Sequence, residues 1–291
     1  MNRATYATHL IFAGLILLSP LHGLADEVQV LRSGGAGFDF FIDLFGPNQI
    51  KNYNVTFDSG TIVQRARNQT TSDGMALGAS SAITTTREVA PEEPALEAFT
   101  SALLDVPVRL NWMGSGSPAT ETPVVVSIDF DGWLQNAGLT GDANLVRGGT
   151  RFSVFGANFF AGGITCFAQY GCDVSVDGAG TLVNNTIMMS PDGMITGGFS
   201  VQGLMPTDNS TARPTFSIDN LLRIGENGLD NDVGIPEDTS IFADLYFTST
   251  LSITPLDSAF QLQIVPVPPA WLLLGPALAA LGFASRRQGS A

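Results

Sequence analysis

Histidine is missing from residues 26–264 of this 291-residue chain, because both histidines, His9 and His22, fall within the first 25 residues. Without an imidazole, this long stretch lacks the usual general base of Ser-His-Asp and Cys-His hydrolases. It also lacks the commonest ligand for zinc, copper and non-haem iron. Lysine is nearly absent as well, with Lys51 its sole example. Three of the thirteen basic residues, Arg3, Arg286 and Arg287, sit at the two ends, so residues 26–264 set ten basic groups against all 27 acidic ones, a formal charge of −17. A surface of that sign repels phosphate backbones and anionic lipid, which excludes a nucleic-acid role and favours solubility at high local density.

Cysteine is scarce too: Cys166 and Cys172 are the only pair, with five residues between them. An even, close pair in an exported protein reads as a disulfide that staples a hairpin or tight loop. Redox catalysis normally uses Cys-x-x-Cys spacing around a reactive thiolate, which this pair does not have.

What is present begins with the N-terminal 25 residues. Arg3 precedes an apolar run from Leu10 to Leu18, and Gly23-Leu24-Ala25 supplies a small-residue exit. That order is a secretory signal layout, with cleavage expected after Ala25; the competing readings are an uncleaved anchor or a core helix. At the other end, Val265-Pro266-Val267-Pro268 leads into an uncharged stretch from Pro269 to Ser285, followed by Arg286 and Arg287. As a helix this stretch would reach roughly 25 Å, the short limit for a membrane span. Trp271 stands where an interfacial aromatic belongs, and the two arginines suit the inner side of the membrane. A plain anchor that is never cut is the alternative, and a core helix is disfavoured by Pro276.

The Pro-rich motif, short apolar helix and terminal arginines together resemble the PEP-CTERM sorting signal, although Val267 stands where that family carries Glu. The resemblance covers residues 265–291 alone. It implies handling by an exosortase-type membrane protease at Val265, Pro266 and Pro268, transient membrane anchoring through 269–285, and then a place at the cell surface or in an exopolysaccharide matrix. The expected organisation is therefore a signal peptide over 1–25, one exported domain over 26–264 and a sorting tail over 265–291.

Period-two alternation dominates the middle of the chain. Phe38, Phe40, Ile42 and Leu44 form one such set; Val106, Val108, Leu110 and Trp112 a second; Val124, Val126, Ile128 and Phe130 a third; Phe260, Leu262 and Ile264 a fourth. Each reads as a strand with one buried face. Turn residues at Asp131-Gly132, Gly148-Gly149, Asp177-Gly178, Pro191-Asp192-Gly193 and Gly197-Gly198 mark strand ends, and residues 188–201 read as a hairpin. One helix is expected over Glu92–Leu104, opened by Pro91 and carrying Leu96, Phe99 and Leu103 on one face. Residues 65–93 read as a Ser/Thr-rich soft region, and 114–122 as a loop. The fold class expected is an all-β antiparallel sandwich, with the jelly roll as its named variant, plus that short helix.

Candidate site residues fall into three groups. Asp230, Asp232 and Glu237 lie in a Gly- and Asn-rich acidic segment whose oxygen ligands suit Ca²⁺, although Ile241 occupies the position where an EF-hand would carry Glu; a solvated acidic loop is the competing reading. Asp129 and Asp131 beside Gly132 form a weaker second set. Trp133, Tyr170, Phe159 and Phe160 could offer a sugar-stacking platform, with at least one of the adjacent phenylalanines in the core because neighbours in a strand point to opposite faces. The leading expectation is a non-enzymatic surface or matrix protein. The alternatives are a lectin-like module with Ca²⁺, and, more remotely, a glycosidase working through two carboxylates.

Overall fold

The alternation of large apolar and polar residues folds as the period-two rule requires, into strands throughout. A computed structural model describes residues 27–264 apart from 35–36, 45–48, 72–73, 92, 106–107, 137–143, 156–157, 208–212 and 226–233. The expected signal peptide and sorting tail, including Val265, Pro266, Pro268, Trp271, Arg286 and Arg287, lie outside the described residues. Among the described residues no helix is long and apolar enough to cross a membrane.

In chain order the strands are β1 (Glu27–Gly34), β2 (Gly37–Leu44), β3 (Ile50–Thr56), β4 (Gly60–Thr71), β5 (Gly74–Thr85), β6 (Leu96–Asp105) and β7 (Val108–Trp112). There follow β8 (Glu121–Phe130), β9 (Gly132–Gln135), β10 (Asn144–Phe155), β11 (Phe160–Phe167), β12 (Gly171–Gly178) and β13 (Thr181–Asn185). The set ends with β14 (Met188–Met189), β15 (Met194–Thr196), β16 (Gly198–Pro206), β17 (Arg213–Ile224), β18 (Ser240–Pro255) and β19 (Phe260–Ile264).

Two antiparallel sheets face each other in a β-sandwich-like arrangement. The first runs β12-β11-β10-β17-β6-β1-β2 and the second β13-β16-β8-β18-β5-β4-β3, with β9, β15 and β14 added beside the first half of β18. A separate ribbon pairs β7 with β19. The core between the sheets is filled by Phe130, Phe152, Phe160, Phe199 and Phe216 together with Ile62, Leu77 and Ile128, all essentially free of solvent contact. The third and fourth alternating sets behave as expected: Val124, Val126, Ile128 and Phe130 are fully buried on β8, and Phe260 is buried on β19.

Four expectations are corrected. The segment expected as a helix over Glu92–Leu104 is instead the central strand β6, paired on one side with β1 and on the other with β17. Leu96, Ala98, Thr100, Ala102 and Leu104 all point into the core, so a period-two set was present alongside the helical one, and pairing on both edges decided between them. In the turn before β6, Glu93 accepts two bonds from Arg87, at 2.8 and 2.7 Å.

Residues 65–93, expected to be soft, supply most of the β4–β5 hairpin, paired from Gly60↔Thr85 to Thr71↔Gly74. Its inward positions include Gln64, Ala66, Asn68, Ala79 and Ser81, all buried but too small or polar to register as a hydrophobic stripe. Gly148-Gly149, expected as a turn, lies within β10. A Cβ on Gly149 would stand 2.5 Å from the carbonyl oxygen of Ile164, so the glycine serves close strand packing here.

The phase of β2 is the reverse of that expected. Phe38 and Ile42 are exposed, whereas at the end of the sandwich Phe41 and Asp43 are half-buried and Phe41 packs against the core, with Asp39 left exposed. There Arg32 pairs with Asp39 at 3.4 Å and lies over the Phe41 ring, while Lys51 and Tyr53 from the other sheet both reach Asp43. At a terminal strand the inward positions seal the layer with mutually satisfied charges, and apolarity alone does not choose the face. Burial and the bond to Asp43 push the Tyr53 hydroxyl pKa well above its ordinary value.

Candidate functional site

The aromatic candidates separate cleanly. Phe160 is core, fully buried and edge-on to Phe152, whereas Phe159 is exposed and packs against the likewise exposed Phe155 with ring centroids 5.4 Å apart. This is the division that strand geometry demands of adjacent residues. Tyr170 is 78% exposed at the tip of the β11–β12 hairpin, edge-on to Phe167. That hairpin is stapled by the Cys166–Cys172 disulfide, whose two residues stand directly opposite one another in the β11–β12 register.

Trp133 has the most built surroundings of the exposed aromatics. It stands on β9 at 45% exposure. Its indole N–H donates to the Asp192 carbonyl at 2.7 Å, and its ring meets Phe242 edge-on at 5.4 Å. The Asp192 carbonyl comes from the Pro191-Asp192-Gly193 turn, where Gly193 adopts φ 86°, a conformation glycine holds without strain. In the sheet register Asp244 of β18 lies opposite one side of Trp133 and Met194 of β15 opposite the other. Nearby, Asp131 is held above the ordinary carboxylate range by burial first and by the negative charge of Asp129 second. The arrangement offers a fixed aromatic face bordered by carboxylates, suitable for stacking a sugar ring and bonding its hydroxyls.

The calcium candidates are not brought into view as a set. Asp230 and Asp232 lie outside the described residues, and Glu237 is exposed in the turn before β18. The C-terminal limb of that acidic segment is anchored firmly. Val89 and Ile235 form an isolated antiparallel bridge, and the Thr85 hydroxyl donates to Pro236 O at 2.8 Å while accepting from the Thr239 amide at 2.9 Å. Among the described residues there is no group of three or more His, Cys, Asp or Glu side chains placed to hold a metal ion.

A surface not anticipated from the residues adjoins Trp133. Met188, Met189, Ser190, Met194 and Thr196 line a groove of about 270 Å³, and Met188 and Met194 are both largely exposed. The signal was available: between Asp177 and Asp208 the chain carries only one charged residue, Asp192, and four of its seven methionines.

Comparison with protein-family models, with curated proteins and with solved structures finds no match to this chain.

Proposed function

We propose that this chain is an exported, non-catalytic protein of the cell surface or extracellular matrix, delivered by a secretory signal over 1–25 and sorted by an exosortase-type protease through 265–291. The observation that carries this reading is the tail itself: Val265-Pro266-Val267-Pro268, an uncharged apolar stretch ending at Ser285, and Arg286 and Arg287 beyond it. Guanidinium groups resist transfer across the bilayer, so the tail halts with its arginines inside and the residues before it outside. Two features of the intervening domain support an extracytoplasmic life. The Cys166–Cys172 disulfide suits an oxidising compartment, and a formal charge of −17 over residues 26–264 suits dispersal within a hydrated polymer layer.

A reporter fused after Ala291 tests the topology. It should remain on the inner side, and activity of an outer-side reporter at that position would refute the reading.

The exposed aromatics favour a second reading, a carbohydrate-binding module in the same location, with the sandwich in its jelly-roll variant and Ca²⁺ held by Asp230, Asp232 and Glu237. Trp133, fixed by Asp192 and flanked by Asp244, is the residue best placed to stack a sugar. Retention on an array of bacterial polysaccharides, with and without chelator, checks it. Retention lost on Trp133→Ala would support it, and no retention on any glycan would remove it.

A further inference from the structure

The domain offers a metal ion few kinds of donor. Residues 26–264 contain no histidine, and their two cysteines are joined as a disulfide. The soft donors that remain are thioethers, and three of them are gathered: Met188 and Met189 on β14 and Met194 on β15 line one groove of about 270 Å³. The two strands pair as Met188↔Thr196 and Met189↔Ile195, and the Ser190 amide donates to the Met194 carbonyl at 2.8 Å. Met188 and Met194 are therefore diagonal neighbours on one face, within reach of each other for side chains of this length. Met188 is 69% exposed and Met194 52%. Met189 is half-buried against the core and lines the same groove. Two of the three gain little from burial where they stand, so packing alone does not account for the cluster.

The surroundings suit a cation. Exposed Asp192 and Asp244 border Trp133, which lies beside Met194 in the sheet register and is held by its bond to the Asp192 carbonyl. The Ser190 hydroxyl donates to the Asp192 carboxylate and holds it below its ordinary pKa. Next to β14 lies β12, which carries exposed Asp173 and Asp177. Carboxylates on both sides give the groove a negative potential that draws cations in, and the sulfur atoms then decide which cation stays.

We infer that the β14–β15 groove binds a soft monovalent cation, Cu(I), through the thioether sulfurs of Met188, Met189 and Met194, with the Trp133 ring at its side. Thioether sulfur is a soft, uncharged donor that selects Cu(I), whereas Ca²⁺ and Mg²⁺ select oxygen. Methionine side chains are unbranched and polarizable, so sulfurs on diagonal positions can turn toward a single ion. An aromatic face beside that ion adds cation–π attraction. This inference is independent of the export reading and of the sugar-binding reading.

Equilibrium dialysis of the intact chain in non-ionic detergent against Cu(I), kept reduced by ascorbate, tests it, with Ag(I) as a redox-inert stand-in. Met188→Leu and Met194→Leu change exposed positions where leucine leaves the fold undisturbed. Wild type should retain one equivalent of either ion that both variants lack, whereas Met113→Leu, at a methionine 67% exposed elsewhere on the surface, should keep it. Binding should also lower the tryptophan fluorescence, a change that Trp133→Phe removes. Zn²⁺ should be held no better by the wild type than by either variant. A wild type that retains no more Cu(I) than the two leucine variants, or one that distinguishes itself from them equally for Zn²⁺, would overturn the proposal.

Discussion

Gln64 Nε2 donates to Thr100 Oγ1 at 3.0 Å in the interior, joining β4 of one sheet to β6 of the other. The chain of bonds continues. Ser81 gives its hydroxyl proton to Asn220 Oδ1 at 2.5 Å, which leaves Thr100 to donate to Ser81 at 2.8 Å. Gln64 also donates to Phe99 O at 2.8 Å. All four side chains are buried, and two of their polar atoms, Gln64 Oε1 and Asn220 Nδ2, have no hydrogen-bond partner among the described residues. Thr100→Val removes the middle of the relay and strands its neighbours, so it should cost about 1–3 kcal/mol in denaturant unfolding. Replacing Gln64, Ser81, Thr100 and Asn220 together by apolar residues of similar volume should cost less than the single changes added together, because partnerless polar groups are removed along with the bonds. Simple additivity would refute this account of the core.

The disulfide should contribute modestly. Cys166 and Cys172 are six positions apart, and closing so short a loop restricts the unfolded chain by only about 2 kcal/mol. Cys166→Ser with Cys172→Ser should lower the free energy of denaturant unfolding by that amount and leave the circular-dichroism signature of the sheets intact. Collapse of the fold would show that the hairpin depends on the bond.

Acid should weaken the turn that precedes β6. The Glu93 carboxyl lies below its ordinary pKa, chiefly through the bond from Arg87 and further through the Ala90 amide, against an opposing effect of desolvation. A depressed carboxylate stabilises the folded state above its unfolded pKa, and that stabilisation is lost as pH falls through the folded value. Asp131 has the opposite sign. Its raised pKa means that ionisation there disfavours the fold, so Asp131→Asn should raise the midpoint at neutral pH, with the gain fading as the native carboxyl protonates. Thermal unfolding of Glu93→Gln and Asp131→Asn across acidic and neutral pH checks both signs, and the same sign for the two variants at neutral pH would contradict the assignment.

Gly149 should tolerate no side chain. An alanine Cβ there would stand 2.5 Å from the Ile164 backbone oxygen, and relieving that clash requires β10 and β11 to separate. Gly149→Ala should cost about 1–3 kcal/mol, measured by denaturant unfolding; a neutral effect would mean that the strands are not so closely apposed.

The sequence showed its strands best where large apolar residues alternate with polar ones on a single face. On β8, Val124 to Phe130 gave both the element and its buried side. It misled where the face is chosen by something other than apolarity. On β2 the half-buried Asp43 is matched by Lys51 and Tyr53 of the facing sheet, and a polar residue satisfied across the layer leaves no apolar mark on its own strand. On β4 and β5 small and polar inward residues hid the longest hairpin. On β6 both periodicities were present, and pairing partners more than 100 positions away on β17 chose between them. Trp133 and Tyr170 were legible as exposed aromatics, whereas the exposed edge of β13 became visible only once sheet order showed which strands are terminal.

The account rests on sorting by the two chain ends, and intact-mass measurement of the protein recovered from cells tests it most directly. The predicted species begins at Asp26 and ends close to Pro266, both signals having been removed. A species that retains Met1, or one that still carries Arg286 and Arg287, would contradict it.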